Sequence, residues 1–191
     1  MSTTVTPAAT GQDAGRDLDR VDRQLLSLLQ ADGRLTVAEL ARTVNLTLTP
    51  CIERVRRLER EGFIEGYFAR LSPRRLGQQL LAFTEVTLDH GTPDVFQRLK
   101  EAVQLVDEIV ECHMVAGGFD YLLKTRVQDM DEYRRVLGDK IANVRGVRHT
   151  QTYFVLEEVK STHAVRIRPI ESGRSATPAR RRRRSKGRAL G

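Results

Sequence analysis

Apolar residues run along this chain in two different rhythms, and the change from one to the other near residue 80 divides it. Between 17 and 62 they recur every three or four positions, the spacing of helices that each bury one stripe. Val21, Leu25, Leu28 and Leu29 predict a first helix, capped by Asp19. Thr36 with Glu39 makes a capping box for a second helix, whose Leu40, Ala41 and Val44 share a face. Asn45 suits the left-handed residue of a sharp turn, small Ala41 leaves room for a close crossing, and Leu46 closes the turn. A third helix follows, capped by Thr47 or Thr49, with Leu48 or Pro50 tolerated in its first turn and Gly62 at its end. At about 100° per residue, Leu48, Cys51, Ile52, Val55 and Leu58 cover its packed side, and Pro50, Glu53, Arg54, Arg57 and Arg60 the opposite one.

Residues 63–71 alternate loosely, as a small wing strand or hinge, until Ser72, Pro73 and Gly77 break the pattern. Strict alternation then predicts a strand from Leu80, and Pro93 opens a helix with Val95, Phe96, Leu99, Val103 and Val106 inward. A second strand spans 109–116, Gly117 and Gly118 turn the chain, and a third returns over 121–127. Asp129 caps a helix through Tyr133, Val136, Leu137 and Ile141, and a last strand follows Gly146 over 147–156. The fold class is therefore α+β: an N-terminal, winged helix-turn-helix domain and a C-terminal βαββαβ ferredoxin-like sandwich. Helices cover one face of such a sheet. The other, with Phe83 or Leu81 and Val115, is bare and predicts a homodimer packed sheet to sheet. The plan is an arm (1–16), the helix-turn-helix (17–62), a strand or hinge (63–79), the sandwich (80–160) and a tail (161–191).

Charge refines this plan. The net charge of +7 belongs to the tail, since residues 173–191 hold eight Lys or Arg and no acid, while residues 1–172 hold 24 bases and 25 acids. The run Arg180–Arg184 predicts sequence-independent attraction to nucleic acid or simple solubilisation, and the arm and tail compositions predict disorder. No apolar run suits a membrane span and no secretion signal opens the chain, so an intracellular, cytoplasmic protein is expected. Cys51 and Cys112 read as small buried groups in a reducing compartment. His90, His113, His149 and His163 have no metal-ligand spacing with them.

Two constellations carry chemistry. A helix-turn-helix lays its second helix in the major groove of double-stranded DNA, where an arginine fork grips guanine and a carboxylate accepts from cytosine. Arg54, Arg57 and Thr49 are the base-edge candidates and Glu53 the acceptor, with Arg56 and Arg60 on phosphates and Thr47 and Pro50 completing the leading turn. The plainer reading is a solvated helix, because Glu59 and Glu61 offset part of the charge. The second constellation is the hairpin Gly117-Gly118-Phe119-Asp120. Its glycines permit unusual backbone angles and leave amides open to a carboxylate, and Asp120 can face an ammonium group, which together suit a free amino acid. A simple turn with a capping aspartate is the alternative. No nucleophile lies beside a base, so neither catalysis nor a cofactor is expected.

The stretches LDRVDRQLLSLL (18–29), TPCIERVRRLEREGFIEGY (49–67), PDVF (93–96), ECHMVAGGFDYLLKTR (111–126) and TYFVLEEVK (152–160) resemble the Lrp/AsnC family of bacterial feast/famine regulators over about 17–167. The resemblance implies that the second domain is an effector-binding (RAM) domain that pairs protomers into dimers and octamers, which wrap or bend DNA near promoters of amino-acid metabolism genes. It implies an amino-acid effector, leucine or another apolar one, bound near the hairpin at the contact between dimers. Asp120 would take the ammonium group, the Gly117 and Gly118 backbone the carboxylate, and Met130 and Tyr153 would line the pocket. Gly118, where relatives carry an acid, and the arginine-rich tail depart from the pattern. A nucleoid-associated architectural protein with little sequence preference is the alternative function.

Overall fold

The computed structural model describes residues 18–168. The chain falls into two compact units, one of 18–68 with 163–168 and one of 69–162. The expected disordered arm over 1–16 and the arginine run of the tail lie outside the described residues.

In the first unit α1 (Arg20–Ala31), α2 (Val37–Thr43) and α3 (Leu48–Arg60) follow the apolar stripes. Capping boxes open the first two, Asp19 with Asp22 and Thr36 with Glu39. Asn45 turns the chain at φ 56°, and the Leu46 amide donates to the Ala41 carbonyl at 2.9 Å. Leu25, Leu40, Cys51 and Leu58 are wholly buried where the three helices meet, each aliphatic side chain contributing about 1.5–3 kcal/mol by leaving water. Gly62, at φ 76°, ends α3. The Phe63 amide reaches back to the Leu58 carbonyl and the Gly62 amide to that of Glu59, so the last carbonyls of the helix are satisfied.

Three expectations for this unit need correction. Leu48 is half exposed, because it stands at the first position of α3, ahead of the turn that meets α1 and α2. Thr47 occupies the N-cap position but makes no side-chain capping bond. Residues 63–71 form no strand, since nothing described pairs with them; Phe63 and Ile64 pack on the helical core instead, and Tyr67, Phe68 and Leu71 are exposed.

The second unit runs β1 (Leu80–Leu88), α4 (Val95–Gln104), β2 (Ile109–Met114), β3 (Tyr121–Val127), α5 (Met130–Arg135) and β4 (Val147–Phe154), with a π-helical stretch, Val136–Ala142, continuing α5. The sheet order is β2-β3-β1-β4, with every neighbouring pair antiparallel. Alternation sorts the faces: Ala82, Val86, Leu88, Leu123 and Val127 join Val95, Leu99, Tyr133 and Ile141 in the core beneath the helices. The Thr84 hydroxyl lies 2.9 Å from that of Tyr133, which also meets Thr152, so these core hydroxyls satisfy one another. On the other face Phe83 and Val115 are half-buried, whereas Leu81, also expected there, is already covered within the protomer.

Register brings three loops to one end of the sheet. The Asp120 amide donates to the Val86 carbonyl, and Leu88 pairs with Val147, so the β2–β3 hairpin, the β1–α4 loop and the turn before β4 gather there. Gly146 holds that turn at φ 97°, and a Cβ on it would fall 2.4 Å from Val95 Cγ2. No other residue fits.

Candidate DNA interface and effector site

Helix α3 offers its surroundings a narrower set of residues than its charge suggests. Thr49, Pro50, Glu53, Arg56 and Arg60 are exposed along its outer face. Arg54 and Arg57, expected among the base-edge readers, are turned back toward α1. Asp22, 1% exposed, receives Arg54 Nη1 at 2.8 Å and Arg57 Nη2 at 2.5 Å, and Arg54 also meets Asp19 at 2.5 Å. Hydrogen bonds to Asp19 and Asp22 raise the Arg54 pKa above its ordinary value despite some burial, and the bond to Asp22 does the same for Arg57. These arginines therefore lock α3 to α1, and the free guanidinium groups on the helix are those of Arg56 and Arg60.

One signal in the sequence foretold this. Asp22 interrupts the apolar stripe of α1 between Leu18 and Leu25, and a carboxylate at such a position is stable only with cations supplied by a neighbour. On α3, positions 54 and 57 flank the buried line Cys51–Val55–Leu58 and face that neighbour.

At the sheet end of the second unit, Asp120 is already engaged. Its Oδ2 accepts the Leu88 amide at 2.7 Å and its Oδ1 lies 2.8 Å from His90 Nε2. Burial pushes the Asp120 carboxyl up, but the Leu88 amide and His90 together outweigh it and hold the group below its ordinary value. His90 is 65% exposed and rests on Phe96, with ring centroids 5.4 Å apart. One carboxylate oxygen is thus anchored in the backbone while the other meets a group in solvent. Sequence reasoning considered His90 only as a metal ligand and missed this pairing.

Gly117 and Gly118 sit exposed at the hairpin tip, with nothing within 4 Å of where a Cβ would lie, and neither has a positive φ. The expectation that they supply unusual backbone angles is corrected: what they leave is open space where a side chain would stand. Phe119 is half-buried beside them. A recess lined by Asp89, Thr92, Gly146, Val147 and Arg148 occupies the same end of the sheet. Within the protomer, Met130 and Tyr153, expected to line the effector pocket, lie away from this recess. Met130 follows the far end of β3, about 20 Å along the strand, and Tyr153 pairs with Phe83 toward that same far end. Periodicity gave their positions along the elements but not the direction in which the hairpin folds the strand back.

Among the described residues no helix is long and apolar enough to cross a membrane. A helix-turn-helix unit followed by a βαββαβ unit with a polar cluster at one sheet end is the build of a DNA-binding regulator that carries a ligand domain. Residues 18–65 match the winged helix-turn-helix DNA-binding family, and residues 81–165 match the Lrp/AsnC ligand binding domain. The chain belongs to the Lrp/AsnC family. It is 54% identical over 154 residues to the leucine-responsive regulatory proteins of Escherichia coli K12 and Klebsiella pneumoniae, a match covering 81% of this chain and 94% of each relative. A transcriptional regulator of Neisseria meningitidis, solved as a complex with L-Met, superimposes with a TM-score of 0.74 at 34% identity, covering 78% of this chain and 96% of that one. The leucine response regulatory protein of Mycobacterium tuberculosis superimposes with a TM-score of 0.66 at 33% identity, covering 79% and 100%. This chain is a DNA-binding transcriptional regulator with a ligand-binding domain, from a family of regulators rather than enzymes. The architectural alternative is not favoured by these relatives.

Proposed function

We propose that this regulator controls genes of amino-acid metabolism by sensing a small apolar amino acid, leucine first, at the sheet end built around Asp120. The observation that carries the reading is the divided carboxylate: Oδ2 tied to the Leu88 amide keeps Asp120 in place, while Oδ1 holds only an exposed histidine that an ammonium group can displace. The amides of Gly117 and Gly118 offer the complementary donors for a carboxylate, at a tip where no side chain of their own stands in the way. Relatives named for leucine and a solved neighbour complexed with L-Met support an apolar side chain on the ligand. Within one protomer Met130 and Tyr153 lie too far away to line that pocket, so their part in it depends on a second copy.

The same reading makes the assembly part of the mechanism. Half-buried Phe83 and Val115 on the uncovered sheet face favour dimers, and further association to octamers would place several α3 helices along one duplex in the cytoplasm. On DNA, we assign Thr49, Glu53 and Arg56 to base edges and Arg60 to a phosphate, with Thr47 and Pro50 at the leading turn. A ligand at a contact between copies then shifts assembly and DNA affinity together.

Calorimetric titration with leucine, methionine and the other amino acids, paired with mass measurement of the assembly with and without each, tests this. Leucine or methionine should bind the parent, and the Asp120→Ala variant should lose that binding while remaining folded. Unchanged leucine binding by Asp120→Ala would remove Asp120 from the site.

A further inference from the structure

His90 touches two groups at the sheet end, and together they trace the outline of a ligand. Its Nε2 lies 2.8 Å from Asp120 Oδ1, and because an ionised carboxylate only accepts, the imidazole nitrogen is the donor of that bond. Its ring meanwhile rests on Phe96, with centroids 5.4 Å apart and planes tilted by 51°, within the range of attractive aromatic pairs. An N–H donor on Asp120 joined to a compact body on Phe96 is also what an apolar amino acid brings, through its ammonium group and its side chain.

The surroundings let this histidine leave without disturbing the fold. Its neighbour Asp89 holds the loop: the Asp89 amide donates to the Gly146 carbonyl at 2.8 Å, and the carboxylate accepts the Gly91 amide at 3.1 Å and the Thr92 hydroxyl at 3.0 Å. The backbone is therefore pinned on both sides of His90, and rotation about its side-chain bonds is enough to release the ring. The His90 side chain is 65% exposed, so little burial opposes that rotation, whereas Asp120 beside it is only 16% exposed. Phe96 has no such freedom, because it packs on the core with its ring 6.2 Å from that of buried Tyr121. Asp89, Thr92 and Arg148 make the neighbouring recess polar, while Phe96 presents an aromatic face to whatever replaces the imidazole.

We infer that His90 is a built-in occupant of the effector site: without ligand its imidazole takes the place of the ammonium group on Asp120 and of the ligand's side chain on Phe96, and an amino acid must turn it out to bind. This rests on the effector reading of the Asp120 site. His90 sets the effector affinity, since only molecules with the ring turned out are competent to bind. Phe96 sets the preference, because a leucine or methionine side chain is long enough to cover its ring and the methyl of alanine is not.

The test uses the full chain as parent, His90→Ala, His90→Ala combined with Phe96→Leu, and Asp120→Ala, each titrated calorimetrically with leucine, methionine and alanine. His90→Ala should bind leucine and methionine about threefold or more tightly than the parent, a gain that damage to the fold would not produce. Phe96→Leu in that background, where no histidine competes, should weaken both about threefold or more. Alanine should bind about tenfold or more weakly than leucine. In NMR spectra of the parent, the imidazole signals that His90→Ala lacks should move on addition of leucine to the positions they hold in Asp120→Ala. His90→Ala binding no more tightly than the parent, or leucine bound with those signals unmoved, overturns the inference while the site stands. No loss from Phe96→Leu, or alanine bound as tightly as leucine, overturns the seat on Phe96. Leucine and methionine bound as well by Asp120→Ala as by the parent, or by no version at all, overturn the site and the inference with it.

Discussion

Asp22 of α1 and Arg57 of α3 meet at 2.5 Å, with the carboxylate 1% exposed, and that pair holds one side of α3 against α1. Asp22 also receives Arg54, and its Oδ2 accepts the Asp19 amide at 3.0 Å, so one buried side chain caps α1 and fixes α3 at once. Asp22→Ala should destabilise the first unit by about 3 kcal/mol, because two guanidinium groups lose their buried partner. Asp22→Asn, which keeps shape and loses charge, should fall between parent and alanine. Denaturant titration followed by circular dichroism measures both, and equal stability of all three proteins would refute the locking role.

Arg56 and Arg57 are adjacent in sequence and should behave oppositely. Arg56→Ala, on the exposed face, should leave stability within about 0.5 kcal/mol and weaken operator binding by about 1–3 kcal/mol if it meets a base edge. Arg57→Ala should lower the melting temperature first and affinity only through that loss. Melting curves and operator titrations on the same preparations separate the two, and a stable Arg57→Ala protein with lost DNA binding would restore Arg57 to the reading face.

Asp120 ties the stability of the second unit to acid. Its folded carboxyl titrates below the ordinary aspartate value of 3.8. The stabilisation it gives is therefore complete above that value and drains away as pH falls through the folded one. Asp120→Asn should be less stable than the parent at pH 7, with the gap closing below about pH 4. Urea unfolding at pH 7, 5 and 3 checks this, and a gap independent of pH would rule out the linkage.

Gly146 is required by space as well as by its φ of 97°. Gly146→Ala drives a Cβ against Val95 at the turn that leads into β4, and the strain should cost about 1–3 kcal/mol. Gly118→Ala, with open space around it and no positive φ, should be within about 0.5 kcal/mol of the parent. Comparable melting temperatures for the two variants would contradict this assignment.

Much of this protein was legible without coordinates, because local rules govern it. The helical stripes, the Asp19 and Thr36 caps, Asn45 at the turn, Gly62 at the end of α3 and the bounds of β3 follow from periodicity and capping, which act over a few residues. What depends on partners distant in sequence was decided only by folding. Arg54 and Arg57 read as outward cations until α1 supplies Asp19 and Asp22, 32 to 35 residues away. Asp120 reads as a free carboxylate until the antiparallel register brings the Leu88 amide and His90 beside it. Residues 163–168 have no pattern of their own, and only the groups on α1, 135 and 145 residues earlier, give them a place. A sequence states which groups a segment offers; the long-range packing determines which of those groups are spent inside the protein and which remain for DNA and ligand.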